Sequence, residues 1–177
     1  MTDLKECFER WCRENGLAIS LSYTMPAGYE DAFGMFEPAD GTLYFNKEFL
    51  KIYPEHEQLF YFFHELRHAV QYSFPERFSE RVRKSCQYVI MYNGYCFKLA
   101  EGGWKECQLE GDEEFFADLY LGQPYEEDAN EYAYEQVKAL LGDSLELDKL
   151  RAFCAPKRAV SEREYELIYA EIDEKAR

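Results

Sequence analysis

The sequence predicts an α+β protein in which a small N-terminal antiparallel sheet packs on a bundle of helices. Up to residue 46 the chain contains short segments in which apolar and polar residues alternate, which is typical of strands. Farther along, apolar residues recur every three or four positions, which is typical of amphipathic helices. The 177 residues are 47% hydrophobic and 18% aromatic, enough to bury a core. We therefore expect one domain over residues 1–177.

The N-terminal elements follow from local spacing and turn residues. Apolar residues at helical spacing predict a first helix over 3–14, with Thr2 as its N-cap. Alternation predicts a strand over 17–25. Two β-prone segments, 33–37 and 42–46, flank a Pro-Ala-Asp-Gly turn and predict a hairpin.

The elements predicted beyond residue 46 are helices, separated by breaks at glycine, proline and Asn-Gly. The predicted helices are a short one at 47–52, a long one that begins at Pro54, and others at 76–91, 112–121, 124–141 and 161–177. Proline suits the first position of the 124–141 helix because that position needs no N–H donor.

Charge and composition exclude several classes of protein. The formal net charge of −15 argues against a nucleic-acid partner, because phosphate binding calls for a basic surface. No apolar run approaches 18 residues, so we expect no membrane span. The N-terminus is polar and lacks the apolar core of a signal peptide, which predicts a cytoplasmic protein. In that compartment the six cysteines, none of them in a CxxC pair, are expected to be reduced.

The segment from His64 to His68 reads HExxH within the long predicted helix. Histidines four residues apart share one helix face, with Cβ atoms about 5–6 Å apart. Both imidazoles can then bind one Zn²⁺ at about 2.0–2.1 Å. Glu65, directly after the first ligand, is placed to take a proton from a water that the metal activates.

A catalytic zinc needs a third protein ligand, with water in the fourth position. The remaining histidine, His56, precedes His64 by two turns, about 12 Å along the helix axis at 1.5 Å per residue. That separation is too long for one site. The third ligand should therefore be a carboxylate or a cysteine from another helix.

Two downstream glutamates are candidates for that third ligand. Glu126 shares a helix face with an apolar stripe, so it should point into the protein. The stripe consists of Ala129, Ala133, Val137 and Leu140. Glu114 lies off the apolar arc of its own helix and remains the alternative metal ligand. Asn130, with Asp128 behind it, is predicted to hydrogen-bond a ligating histidine and fix its tautomer.

Together the HExxH at 64–68 and the segment QPYEEDANEYA at 123–133 resemble the gluzincin class of zinc metallopeptidases, especially the small ImmA/IrrE-type peptidases. The resemblance covers roughly residues 35–140. It implies a zincin-like fold, Zn²⁺ as cofactor, Glu126 as third ligand and a peptide or protein substrate. It also implies that the strand just before the active-site helix binds the substrate backbone by strand addition. The residues in that position are Thr42, Leu43, Tyr44, Phe45 and Asn46.

We therefore expect a zinc-dependent peptidase with Glu65 as general base. The alternative is a catalytically inactive zincin-like binding protein whose acidic surface recruits a basic partner. A further alternative is a purely structural HExxH whose histidines are satisfied by core carboxylates. Arg67 is an unusual charged residue within the motif, and we expect it at the solvent edge or paired with a carboxylate.

Overall fold

The computed structural model describes residues 3–176, so Thr2, the predicted N-cap, lies outside the described residues. Asp3 caps the first helix instead, because its carboxylate accepts hydrogen bonds from the N–H groups of Lys5 and Glu6. The chain forms two compact units. The first comprises the chain up to Arg77 together with Ala129–Arg151, and the second comprises Phe78–Asp128 and the chain from Ala152 onward. The chain passes between the two units three times. The expectation of a single domain over residues 1–177 stays a prediction.

Both units contain helices and strands, so the α+β class is confirmed. The helices are α1 (Leu4–Asn15), α2 (Glu55–Ser73), α3 (Glu80–Ser85), α4 (Glu113–Leu121), α5 (Pro124–Leu141), α6 (Leu145–Phe153) and α7 (Glu162–Lys175). The strands are β1 (Ser20–Ser22), β2 (Gly34–Glu37), β3 (Thr42–Phe45), β4 (Tyr88–Ile90), β5 (Tyr95–Ala100) and β6 (Gly103–Gln108). Among the described residues, no helix is long and apolar enough to cross a membrane.

The first unit contains a three-stranded sheet with the order β1–β3–β2. The predicted hairpin is present, because β2 pairs antiparallel with β3. The sheet is mixed rather than antiparallel, since β1 runs parallel to β3. Leu43 and Phe45 on β3 are almost completely buried, and the ring of Phe45 lies edge-on to Phe62 of α2, with centroids 5.5 Å apart. The sheet therefore packs on the helix that carries the HExxH.

The second unit contains a sheet that the sequence did not predict, with the order β4–β5–β6. The helix predicted at 76–91 is wrong beyond Ser85, because residues 88–90 form β4. The hairpin between β5 and β6 turns at Gly102 and Gly103, whose φ angles of 93° and 113° favour glycine. One face of this sheet packs on α4 and α7 through a buried cluster. Its fully buried members are Ile90, Cys96, Leu119 and Ile172.

The α5 helix has the predicted bounds, and its first turn falls in the second unit while the rest falls in the first. Ala129, Ala133 and Val137 are completely buried, as the apolar stripe predicted. Leu140 is 48% exposed, so its assignment to that stripe was wrong. All six cysteines are buried, and none of them forms a disulfide. Burial raises the pKa of Cys12 to about 11 and that of Cys96 to about 12.

Candidate metal centre

The α2 helix carries the two histidines in its interior. It follows Pro54, whose extended conformation (φ −66°, ψ 158°) starts the helix, and Glu55 and Glu57 lie in its first turn, where acidic side chains complement the helix dipole. Residues on several sides of α2 are buried, including Phe60, Phe62 and Leu66. His64 and His68 are each only 8% exposed. Imidazoles held this far from water need specific polar partners.

In both histidines, a side-chain amide contacts the Nδ1 atom of the ring. His64 Nδ1 lies 2.8 Å from the side-chain oxygen of Asn130, and His68 Nδ1 lies 2.7 Å from the side-chain oxygen of Gln71. An amide oxygen accepts hydrogen bonds, so this orientation of the two amides favours the tautomer that carries the proton on Nδ1. Each Nε2 then presents a lone pair, which is the form that binds a metal.

The two lone pairs face each other. His64 Nε2 and His68 Nε2 are 2.9 Å apart, and the rings are nearly perpendicular at 88°. Two acceptors at this distance repel unless a positive charge lies between them. Nitrogen atoms this close can both reach one Zn²⁺ at about 2.0–2.1 Å.

Glu126 completes a group of three. One ligand atom from each of His64, His68 and Glu126 lies within 4.8 Å of the other two. Glu126 is only 4% exposed, and a buried carboxylate normally requires a cation or several donors. Two imidazoles and one carboxylate are a ligand set that catalytic zinc sites use.

The face of α5 that carries Glu126 is aligned by the contact of Asn130 with His64. Asn130 follows Glu126 by four residues, so both lie on one helix face, about 6 Å apart along the axis at 1.5 Å per residue. The completely buried Ala129 and Ala133 beside them keep this face of α5 narrow. The helix thus delivers a ligand and the residue that orients another ligand from successive turns.

Glu65 is half-buried on α2 and packs against β2. A Cβ atom built on Gly34 would lie 3.0 Å from Glu65 Cγ and 3.0 Å from the carbonyl oxygen of Tyr44. The absence of a side chain at Gly34 therefore makes room for Glu65 between the helix and the sheet. No motif in the sequence pointed to this glycine.

Arg67 contacts an aromatic ring on α5, and its pairing with a carboxylate stays a prediction. It is half-buried, and its guanidinium carbon lies 4.7 Å from the centroid of the Tyr132 ring on α5. The Tyr132 hydroxyl in turn accepts a hydrogen bond of 2.7 Å from the indole N–H of Trp11 on α1. The charged residue inside HExxH is thus part of the contact between α2 and α5.

Glu114 and His56 lie outside the group of three, and the predicted role of Asp128 stays a prediction. Glu114 is exposed and pairs with Lys157 at 3.1 Å, and it does not belong to the group of three. Asp128 is half-buried and lies near Cys86, whose pKa is raised to about 12 by burial and then by the charges of Asp128 and Glu126. His56 lines a cavity of about 290 Å³ with residues such as Val137 and Leu147, away from the HExxH.

The prediction that residues 42–46 form the edge strand that binds the substrate is wrong. Thr42–Phe45 form β3, which is the central strand, because β1 pairs with one side of it and β2 with the other. Asn46 follows the strand and bonds the carbonyl oxygens of Glu30 and Ala32. A strand paired on both sides has no backbone groups left for a substrate. The edge next to Glu65 is β2, and the error arose because sequence order does not give strand order.

Gln71 was missed although its spacing could have revealed it. It follows His68 by three residues on α2, so it lies on the same face. It is only 1% exposed, and a glutamine is rarely buried without a specific partner.

Replacing either orienting amide should weaken zinc binding without unfolding the protein. Asn130→Ala and Gln71→Ala each remove the acceptor that fixes one imidazole tautomer, and such losses typically cost about 10–100-fold in metal affinity. The measurement is zinc affinity by competition with a chromophoric chelator, with circular dichroism as the check on folding. Gln87→Ala, which removes an exposed amide, is the matched control. Unchanged affinity in both variants would contradict the assigned tautomers.

Comparison with known proteins returns no relatives. The chain matches no protein-family model, no curated protein and no solved structure. The resemblance to gluzincins therefore rests on the HExxH and on the segment that contains Glu126. The structural finding is a buried group of His64, His68 and Glu126 that can hold a metal ion.

Proposed function

We propose that the protein is a zinc-dependent peptidase. The observation that carries the proposal is the facing pair of Nε2 lone pairs, 2.9 Å apart, with the Glu126 carboxylate in the same group. His64, His68 and Glu126 would hold Zn²⁺. When bound, zinc supplies a Lewis acid that acidifies water and polarises a carbonyl group.

Glu65 is the general base in this proposal. It directly follows His64 in the chain and is not one of the three residues of the metal group. Its carboxylate takes the proton of the attacking water and later passes it to the departing amine. The close approach of Gly34 limits the conformations that the Glu65 side chain can adopt. This restriction keeps the carboxylate oriented for proton transfer.

The substrate backbone would pair with β2. Asn46 N–H bonds the carbonyl oxygen of Phe33, so 33/46 is a hydrogen-bonded pair and the next pair, Gly34 with Phe45, is not. The N–H and C=O groups of Gly34 and Phe36 consequently point away from β3, toward the outer edge. A peptide strand added at that edge would place its backbone beside Glu65.

A tyrosine of the second unit is suited to stabilise the oxyanion of the tetrahedral intermediate. Gln123 is completely buried and bonds the carbonyl oxygen of Tyr88 and the N–H of Ile90, which fixes the end of β4 beside the start of α5. Tyr92 follows β4 and packs on Tyr120 with ring centroids 4.5 Å apart. Burial and then the charge of Glu126 raise the pKa of Tyr92 to about 12, so the hydroxyl keeps its proton and can donate.

Separating metal binding from hydrolysis tests the proposal as a whole. His64→Ala and Glu126→Ala should lose stoichiometric zinc, because each removes a ligand. Glu65→Gln should keep zinc and lose hydrolysis of a mixed peptide library, because only the base is removed. The measurements are elemental analysis after zinc reloading and mass spectrometry of the library. Full hydrolysis by Glu65→Gln would rule out the assigned mechanism.

The same experiment separates the inactive binding protein from the peptidase. A binding protein that uses the acidic surface needs no bound metal, and its wild type would cleave no peptide. The purely structural HExxH also has a distinct outcome, since Glu126→Ala would then leave zinc content unchanged.

Gly34→Ala should reduce hydrolysis by about tenfold or more while zinc stays bound. The added methyl group would contact Glu65 Cγ and the Tyr44 carbonyl at 3.0 Å, and the backbone atom cannot move aside. A displaced base loses rate even when the ligands are intact. Glu37→Ala, at the other end of β2, is the control. Equal kcat for Gly34→Ala and wild type would show that the glycine does not position Glu65.

Tyr92→Phe should lower kcat by about 100-fold, with KM and zinc content close to those of wild type. Removing one oxyanion donor typically costs about 10²–10³ in kcat. Tyr95→Phe is the matched control, because Tyr95 is 40% exposed and only three residues away. If both variants retain wild-type kcat, another group stabilises the oxyanion.

A further inference from the structure

Four aromatic rings form a cluster beside the start of β2, which we call the aromatic platform and which consists of Phe33, Phe49, Tyr53 and Tyr61. Phe33 is its centre. The Phe33 ring stacks on Tyr61 at 4.0 Å between centroids and lies 4.4 Å from Phe49 and 4.6 Å from Tyr53. Phe49 and Tyr53 also meet edge to face at 5.4 Å. Mutual contacts of this kind hold the rings rigidly.

The platform lies next to the general base along two separate paths. Phe33 directly precedes Gly34, the residue whose Cβ position is 3.0 Å from Glu65 Cγ. Tyr61 precedes Glu65 by four residues on α2, so it lies on the same helix face one turn away, about 6 Å along the axis at 1.5 Å per residue. One ring of the platform therefore adjoins the strand edge in sequence, and another lies one helical turn from the general base.

The platform is partly open to solvent. All four of its rings are half-buried rather than sealed in the core. Ile52, in the same turn as Phe49, is 72% exposed, and Tyr29, just before Phe33, is 48% exposed. Exposed apolar side chains beside a cluster of rings offer a contact surface to a ligand or partner.

One pair of opposite charges near the platform compensates itself. The nearby Glu48 and Lys51 form an ion pair of 2.7 Å with each other, and both side chains are well exposed. Such a pair is largely screened and compensates its own charge. Apolar and ring contacts are therefore the interactions that the platform offers.

We propose that the aromatic platform binds a large apolar side chain, aromatic or branched, of the peptide residue next to the scissile bond. The inference rests on the peptidase proposal and deepens it by naming the substrate class. A substrate strand on the Gly34 edge alternates its side chains between the two faces. One of those side chains reaches the face of α2 that carries Tyr61 and Glu65. Its burial there supplies specificity while the β2 backbone supplies general affinity.

Cleavage of a peptide library gives the first test. The library has the form Ala-Ala-Xaa-Ala-Ala with blocked ends, and zinc-loaded wild type is the enzyme. Burial of an aromatic or branched side chain is favourable in proportion to the apolar area removed from water. Partial burial on an open platform should therefore favour Phe, Tyr or Leu over Ala by about tenfold in kcat/KM. Cleavage without this preference would overturn the inference and leave the peptidase proposal intact.

Binding gives the second test and does not depend on turnover. Zinc-loaded Glu65→Gln is mixed with the same library, and retained peptides are identified by mass spectrometry. We expect about tenfold enrichment of peptides with Phe or Leu at Xaa. Retention with that enrichment, combined with no cleavage by wild type, would overturn the peptidase proposal alone. No enrichment would overturn the inference.

Variants of the platform connect the preference to these rings. Tyr53→Ala and the milder Phe49→Leu should reduce the Phe-over-Ala preference to about twofold in both tests, while the Ala peptide is unaffected. Tyr95→Ala, an exposed tyrosine on β5, is the matched control. Circular dichroism and zinc content report on folding. An undiminished preference in Tyr53→Ala and Phe49→Leu would show that other residues select the side chain.

Discussion

The arrangement of the site depends on one constraint, the protonation of both imidazoles at Nδ1. Asn130 and Gln71 present oxygens to those atoms at 2.8 Å and 2.7 Å, and each oxygen can only accept. The consequence appears on the other side of the rings, where two lone pairs meet 2.9 Å apart in a buried environment. The site therefore offers two neighbouring Nε2 atoms that could bind a metal ion.

The surrounding fold supports this arrangement in two ways. The α5 helix carries a candidate ligand and an orienting amide on successive turns. Arg67 and Tyr132 form a second contact between α2 and α5. The sheet contributes Gly34, which has no side chain and therefore leaves space that Glu65 occupies. Side chains that act on the same small region thus come from different elements, and a shift of any one would change the geometry at the metal ligands.

The sequence predicted the parts of this arrangement that depend on local spacing. HExxH placed His64 and His68 on one face, and the stripe around Ala129 and Ala133 indicated that Glu126 points inward. Strand order and the second sheet depend on long-range pairing, which no local pattern reports. For that reason β3 was mistaken for an edge, and β4 was assigned to a helix. Gly34 could not be found at all, because its role is set by a contact with a side chain 31 residues later.

The geometry also bears on whether the HExxH is merely structural. A structural histidine pair would be satisfied by one ring donating Nε2–H to the other, and that donor would need an unprotonated Nδ1 facing a hydrogen-bond donor. Here both Nδ1 atoms face amide oxygens, which favours the tautomers that leave both Nε2 atoms as acceptors. A shared proton would join only those two atoms. A metal ion would contact one atom from each of the three residues, which lie within 4.8 Å of one another. The proposed metal therefore involves all three members of the group, whereas a shared proton involves two.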